Sequence, residues 1–118
     1  MRDILELDFG DLIAGRNQGH FTSVDIMQAV LARIEAVNGA VNAVVGLRDR
    51  EVLLQEARQA DAKPAAGALH GIPFAIKDLV NVAGVRSTMG SPMFAEYIPS
   101  KDDLVAARIR AAGAIIIG

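Results

Sequence analysis

The sequence has no cysteine and no tryptophan, and only 4% of its 118 residues are aromatic. Without cysteine there is neither a disulfide nor a thiolate ligand for a metal, a composition compatible with a reducing cytosol. With so few rings, any core must be built from Ala, Val, Ile and Leu, and a hydrophobic content of 52% supplies them. Any excess of one charge over the other is also small, with 12 Lys and Arg against 14 Asp and Glu. A formal net charge of -2 gives no general attraction for phosphate backbones or anionic lipid, so nucleic acid is not expected as a direct partner. No apolar run approaches the roughly 20 residues of a membrane helix. The opening Met1-Arg2-Asp3-Ile4-Leu5-Glu6 breaks its apolar positions with acids, unlike a secretory leader. The expectation is a cytoplasmic protein with no membrane segment, and the length suits one domain.

Residues 1–66 read as a mainly helical lead-in. Asp8 is placed to cap a short helix starting near Phe9, with Leu12 and Ile13 on its apolar side and Gly19 as its stop. Thr22-Ser23-Val24-Asp25 resembles a capping box with Asp in the place of Glu or Gln. From there Val24, Met27, Leu31, Ile34 and Val37 recur at helical spacing and mark a core face. Asn38-Gly39 is a turn signal, and Val41–Leu47 reads as a short strand. Asp49 caps a further helix from Arg50 to about Ala62, whose stripe of Leu53, Ala57 and Ala60 allows close approach to a sheet. Lys63–Gly67 is a connector.

Residues 67–118 read as a strand, loop, helix and strand. From Ile72 to Ile76 there is no charge, and then comes Lys77. On a strand, Ile72, Phe74 and Ile76 would share one face and Pro73, Ala75 and Lys77 the other. That puts a lysine among small apolar neighbours at a strand's C-terminal end, where open α/β sheets tend to bind ligands. Most such lysines are solvated charges whose stems cover apolar surface. A free lysine has a pKa of about 10.4, so one acting as a base must be desolvated or set near another positive charge. The polar stretch from Val80 to Pro92, with Gly84, Ser87, Thr88, Gly90 and Ser91, is a loop of the kind that lines a pocket. Ser100-Lys101-Asp102-Asp103 reads as a helix start, Leu104, Val105, Ile109 and Ala112 as its buried face, and Gly113 as its end. Ala114-Ile115-Ile116-Ile117 has no polar alternation and is expected to be buried on both faces of a largely parallel sheet. A strand of that kind at the end of a chain is expected to leave an open edge for self-association or for a partner.

Neither histidine makes a site. His20 lies between Gly19 and Phe21 with no second ligand at metal spacing, and His70 beside Gly71 has neither a nucleophile nor an orienting acid nearby, which favours a structural role at the turn. No metal or cofactor is implied.

The pattern around Lys77 resembles the amidase signature family of serine hydrolases. The matching residues are Leu69-His70-Gly71-Ile72-Pro73, Lys77-Asp78, Ala83-Gly84, Thr88 with Gly90-Ser91, Asp102-Asp103 and Ala111–Gly118, in order and at the family's spacing. The resemblance implies a mixed, largely parallel α/β sheet flanked by helices, incomplete here. It also implies hydrolysis of carboxamide C–N bonds by a Ser–cis-Ser–Lys triad, with Lys77 as the base and a small amide as substrate. Thr88, Gly90 and Ser91 fall in a loop near the site, as substrate-binding candidates. The family's two catalytic serines lie in a Gly/Ser-rich segment beyond the apolar run that closes this sequence. The only serines here are Ser23, Ser87, Ser91 and Ser100. The chain therefore reads as the N-terminal part of an amidase, itself inactive. Ser91-Pro92-Met93-Phe94-Ala95 looks more like general amidases than the tRNA-linked relative that hydrolyses glutamine within glutamyl-tRNA(Gln) amidotransferase, which remains the alternative. Two other readings compete: a non-catalytic module pairing through its last strand, and a lysine forming a Schiff base with a cofactor such as pyridoxal phosphate, for which there is no phosphate loop.

Overall fold

A computed structural model of the protein describes residues 3–118. A short 3-10 turn, Ile4–Glu6, leads into three helices, α1 (Phe9–Asn17), α2 (Ser23–Val41) and α3 (Arg50–Asp61). Each of the three starts where a side chain satisfies the free N–H groups of its first turn. Asp8 accepts from the Asp11 N–H at 2.8 Å, and Asp49 from the Val52 N–H at 3.0 Å. Thr22 and Asp25 form the expected reciprocal box: the Asp25 N–H donates to Thr22 Oγ1 at 3.0 Å, and the Thr22 N–H to Asp25 Oδ2 at 2.8 Å.

Helices α2 and α3 pack together through Met27, Leu31, Leu53, Leu54 and Ala57. Burying a side chain such as Leu53 contributes about 1.5–3 kcal/mol. The Asp61 carboxylate, at the end of α3, accepts the N–H groups of Ser23 (2.8 Å) and Val24 (3.1 Å) and so ties that end to the start of α2.

The sheet has two parallel strands, β1 (Pro73–Phe74) and β2 (Ile115–Ile116), with Pro73 opposite Ile115 and Phe74 opposite Ile116. Between them runs helix α4 (Leu104–Ala111). The pairing continues past the short strands, since the Ile115 N–H donates to Ile72 O, the Ile117 N–H to Phe74 O and the Ile76 N–H to Gly118 O, at 2.9, 3.0 and 2.9 Å. As expected, β2 is buried on both sides. Ile115 and Ile117 face α2 and α3, while Ile116 meets Val82, Val85 and Ala106. Gly113 makes the α4–β2 turn at φ +96°, where a Cβ would lie 2.7 Å from His70 Cα, so backbone approach and handedness both require glycine.

Several expectations are corrected. Val41–Leu47 is not a strand, and Asn38-Gly39 is not a turn. Helix α2 runs through Asn38-Gly39 to Val41 and stops at Asn42 in the left-handed region, φ 48°. The Asn38 side chain accepts from the Val44 N–H and donates to Val44 O, both at 2.9 Å, holding the chain after the helix in an irregular path. Ser100 does not start α4; Asp103 stands at its N-cap, with no side-chain bond to the helix. Two carbonyls at the end of β2 are covered, so the edge expected to be open is partly occupied. The Arg48 N–H donates to Ile117 O at 2.8 Å, and its guanidinium, held by Glu56, donates to Ile116 O at 2.6 Å. Finally, Lys77 lies outside β1, in the turn that follows it, where the Val80 N–H donates to Lys77 O at 2.9 Å.

Candidate active site

Lys77 leaves the sheet between two fixed points. The backbone bond from Ile76 to Gly118 holds it on one side, and Asp78 on the other. Its side chain lines a cleft of about 170 Å³ with Val44, Gly46, Ala75, Asp78 and Arg86. The expected desolvation by Pro73 and Ala75 is not met. Lys77 is exposed. Among the described residues its amine makes no hydrogen bond or ion pair. A larger cavity, about 730 Å³, lies elsewhere, against α1 and the start of α2, and includes His20 but no residue of the 77–91 region.

Asp78 is fully engaged. Its Oδ1 accepts the Thr88 N–H at 2.9 Å, its Oδ2 accepts a short hydrogen bond from the Thr88 hydroxyl, and its backbone oxygen accepts the Met89 N–H at 3.1 Å. Burial pushes the Asp78 pKa up, but the Thr88 bonds, the Gly90 N–H and the charge of Arg86 together hold it below the ordinary carboxylate value.

The geometry of the donor turn explains this convergence. Met89 (φ 54°) and Gly90 (φ 67°) are successive left-handed residues closed by the Ser91 N–H on Thr88 O at 2.9 Å, the pattern of a type I′ turn. Such a conformation is uncommon for a side chain like Met89, and it lets neighbouring N–H groups face one anion. Thr88 and Gly90 thus direct polar groups at Asp78. Ser91 caps the next short turn, Pro92–Phe94, by accepting the Met93 N–H at 3.3 Å.

Arg86, which sequence reasoning did not single out, shares the Lys77 cleft and donates to Val45 O at 2.7 Å and Ala95 O at 3.3 Å. Asp102 and Asp103 brace the loop from behind. Asp102 accepts the Ala83 N–H at 2.7 Å and both Arg110 Nε (3.0 Å) and Nη2 (3.2 Å), while Asp103 accepts the Asn81 N–H at 2.8 Å. The Arg110 side chain, then the Ala83 N–H, lower the Asp102 pKa against the opposing effect of burial. His70 has the structural place expected, its Nε2 lying 2.8 Å from Ala60 O, whereas His20 is exposed in its loop. No helix among the described residues is long and apolar enough to cross a membrane.

A helical layer packed on a parallel β1–α4–β2 unit, with a lysine just past the strand's end beside a braced polar loop, is part of an α/β fold. Residues 25–118 match the family model described as Amidase, and the chain belongs to the amidase signature family. Two of its relatives are the A-type subunits of glutamyl-tRNA(Gln) amidotransferase from two bacteria. The one from Roseiflexus sp. (strain RS-1) is 41% identical over 116 residues, covering 96% of this chain and 24% of the relative. The one from Streptomyces coelicolor (strain ATCC BAA-471 / A3(2) / M145) is 38% identical over 122 residues, covering 100% and 24%. The solved structure of native peptide amidase from Stenotrophomonas maltophilia aligns with a TM-score of 0.86 at 33% identity, over 96% of this chain and 24% of that one. The chain therefore has the amidase signature fold in part, and it spans about a quarter of the length of the curated relatives it matches.

Proposed function

We propose that this chain contributes the base of an amide-hydrolysing site, with Lys77 as that base, to a protein whose serines come from a Gly/Ser-rich segment that these 118 residues do not contain. The observation carrying this reading is the unpaired Lys77 amine in a cleft at the end of the β1–β2 pairing, in a chain of the amidase signature family. A neutral Lys77 would take a proton from the cis-serine, which would deprotonate the attacking serine. The resulting ammonium would return the proton to the departing amine. Backbone N–H groups would hold the oxyanion, a stabilisation worth several kcal/mol. The substrate is a small carboxamide, and the location is cytoplasmic. The cover that would dry Lys77 has to come with the serine-bearing segment.

A chimera tests this: the chain replaces the matched quarter of the Stenotrophomonas peptide amidase, and release of ammonia from peptide amides is followed. Turnover is expected from the chimera and none from the chain alone. A folded but inactive chimera overturns the reading.

Membership of a glutamyl-tRNA(Gln) amidotransferase is a second reading, favoured by identities of 41% and 38% to components of such enzymes. It predicts that glutamine is the amide donor and that other subunits are required.

A further inference from the structure

We infer that Thr88 is a positioning residue for Lys77, because its grip on the Asp78 carboxylate withholds from the lysine an anion of the same cleft. Lys77 and Asp78 are adjacent in sequence and line one cleft, yet the lysine is unpaired while the carboxylate is occupied by Thr88 through both N–H and hydroxyl. An ammonium and a free carboxylate in one cleft attract each other, and pairing would favour the protonated lysine, the form that cannot act as a base. The turn prevents this by offering the carboxylate better partners. A charged acceptor takes hydrogen bonds more strongly than a neutral one, and the left-handed Met89 and Gly90 aim the donors. The charge of Arg86 also favours the ionised Asp78 carboxylate. Thr88 and Gly90 thereby act on Asp78. The charged side chains lining the cleft are Lys77, Asp78 and Arg86.

The inference rests on the reading of Lys77 as a base, but its test does not use turnover. The amines of Lys63, Lys77 and Lys101 are trace-acetylated with acetic anhydride at constant pH, and the Lys77 rate is taken relative to the other two by mass spectrometry. Thr88→Val frees one Asp78 oxygen, and Lys77 is expected to label about two- to five-fold more slowly, the range of an exposed ion pair. Thr88→Ala carries the same expectation without a branched methyl group, and Thr88→Ser, which keeps the hydroxyl, restores the wild-type rate. Asp78→Asn and the double variant Thr88→Val/Asp78→Asn label at or above the wild-type rate. A turn that served only to stiffen the loop would give faster labelling when loosened. A Thr88→Val rate equal to or above wild type therefore overturns the inference. Amidase activity that survives Lys77→Ala would remove the base assignment and leave the labelling result standing.

Discussion

Thr88 donates both its backbone N–H and its hydroxyl to Asp78, ten residues earlier in the chain, so the residue after Lys77 is tied to the far end of the loop that follows it. This fixes the backbone at the cleft while the lysine side chain stays free. The consequences fall on the loop, on the charge state of its carboxylates and on the core beneath them.

Met89 holds a left-handed conformation for the sake of its neighbours' N–H groups. Glycine adopts the same conformation without steric cost, so Met89→Gly is expected to raise stability by roughly 1 kcal/mol, the left-handed penalty for a residue with a Cβ. Thermal or urea unfolding measures it. A fall in stability instead would mean that the Met89 side chain contributes packing that outweighs the strain.

Asp78 and Asp102 both have pKa values held below the ordinary carboxylate value. For a depressed acid, the stabilisation is present above the unfolded-state pKa, near 3.9 for aspartate, and is lost as pH falls through the lower folded value. Stability should therefore drop below about pH 4. Asp102→Asn should be less stable than wild type at neutral pH and lose less on acidification. Urea midpoints from about pH 7 to about pH 2.5 decide this, and equal acid losses in both proteins would contradict it.

Leu53 is fully buried between α2, α3 and β2. Truncation to alanine removes its contacts and leaves a cavity, so Leu53→Ala should cost about 2–5 kcal/mol. Val52, exposed on the same helix, should tolerate alanine within about 0.5 kcal/mol. The pair is compared in one denaturation series.

What was legible in the sequence follows from how local the causes are. Asp8, the Thr22–Asp25 box and Asp49 act within a single helical turn, and each helix begins where they stand. The unbroken Ile115-Ile116-Ile117 reports burial on two faces because no polar side chain could be placed there. The misreadings come from side chains whose partners lie outside their own helical turn, or from cover that is missing. Asn38 spends its amide on Val44 and so lets the helix pass its own turn signal. Asp102 and Asp103 look like helix-start acids but brace Ala83 and Asn81, about twenty residues away. Lys77 lines a cleft at the end of the apolar run, but the dryness expected for it depends on cover that neighbours in sequence do not provide. Nothing in the local sequence of Thr88 announces that its hydroxyl belongs to Asp78.

The most direct test is the turnover of the peptide amidase chimera with Lys77 replaced by alanine. If Lys77 is the base, kcat/KM on a peptide amide falls by about a thousand-fold or more, in the range expected for losing a positioned base, while the folded chimera retains its melting temperature. Turnover within a few-fold of the unsubstituted chimera would contradict the account.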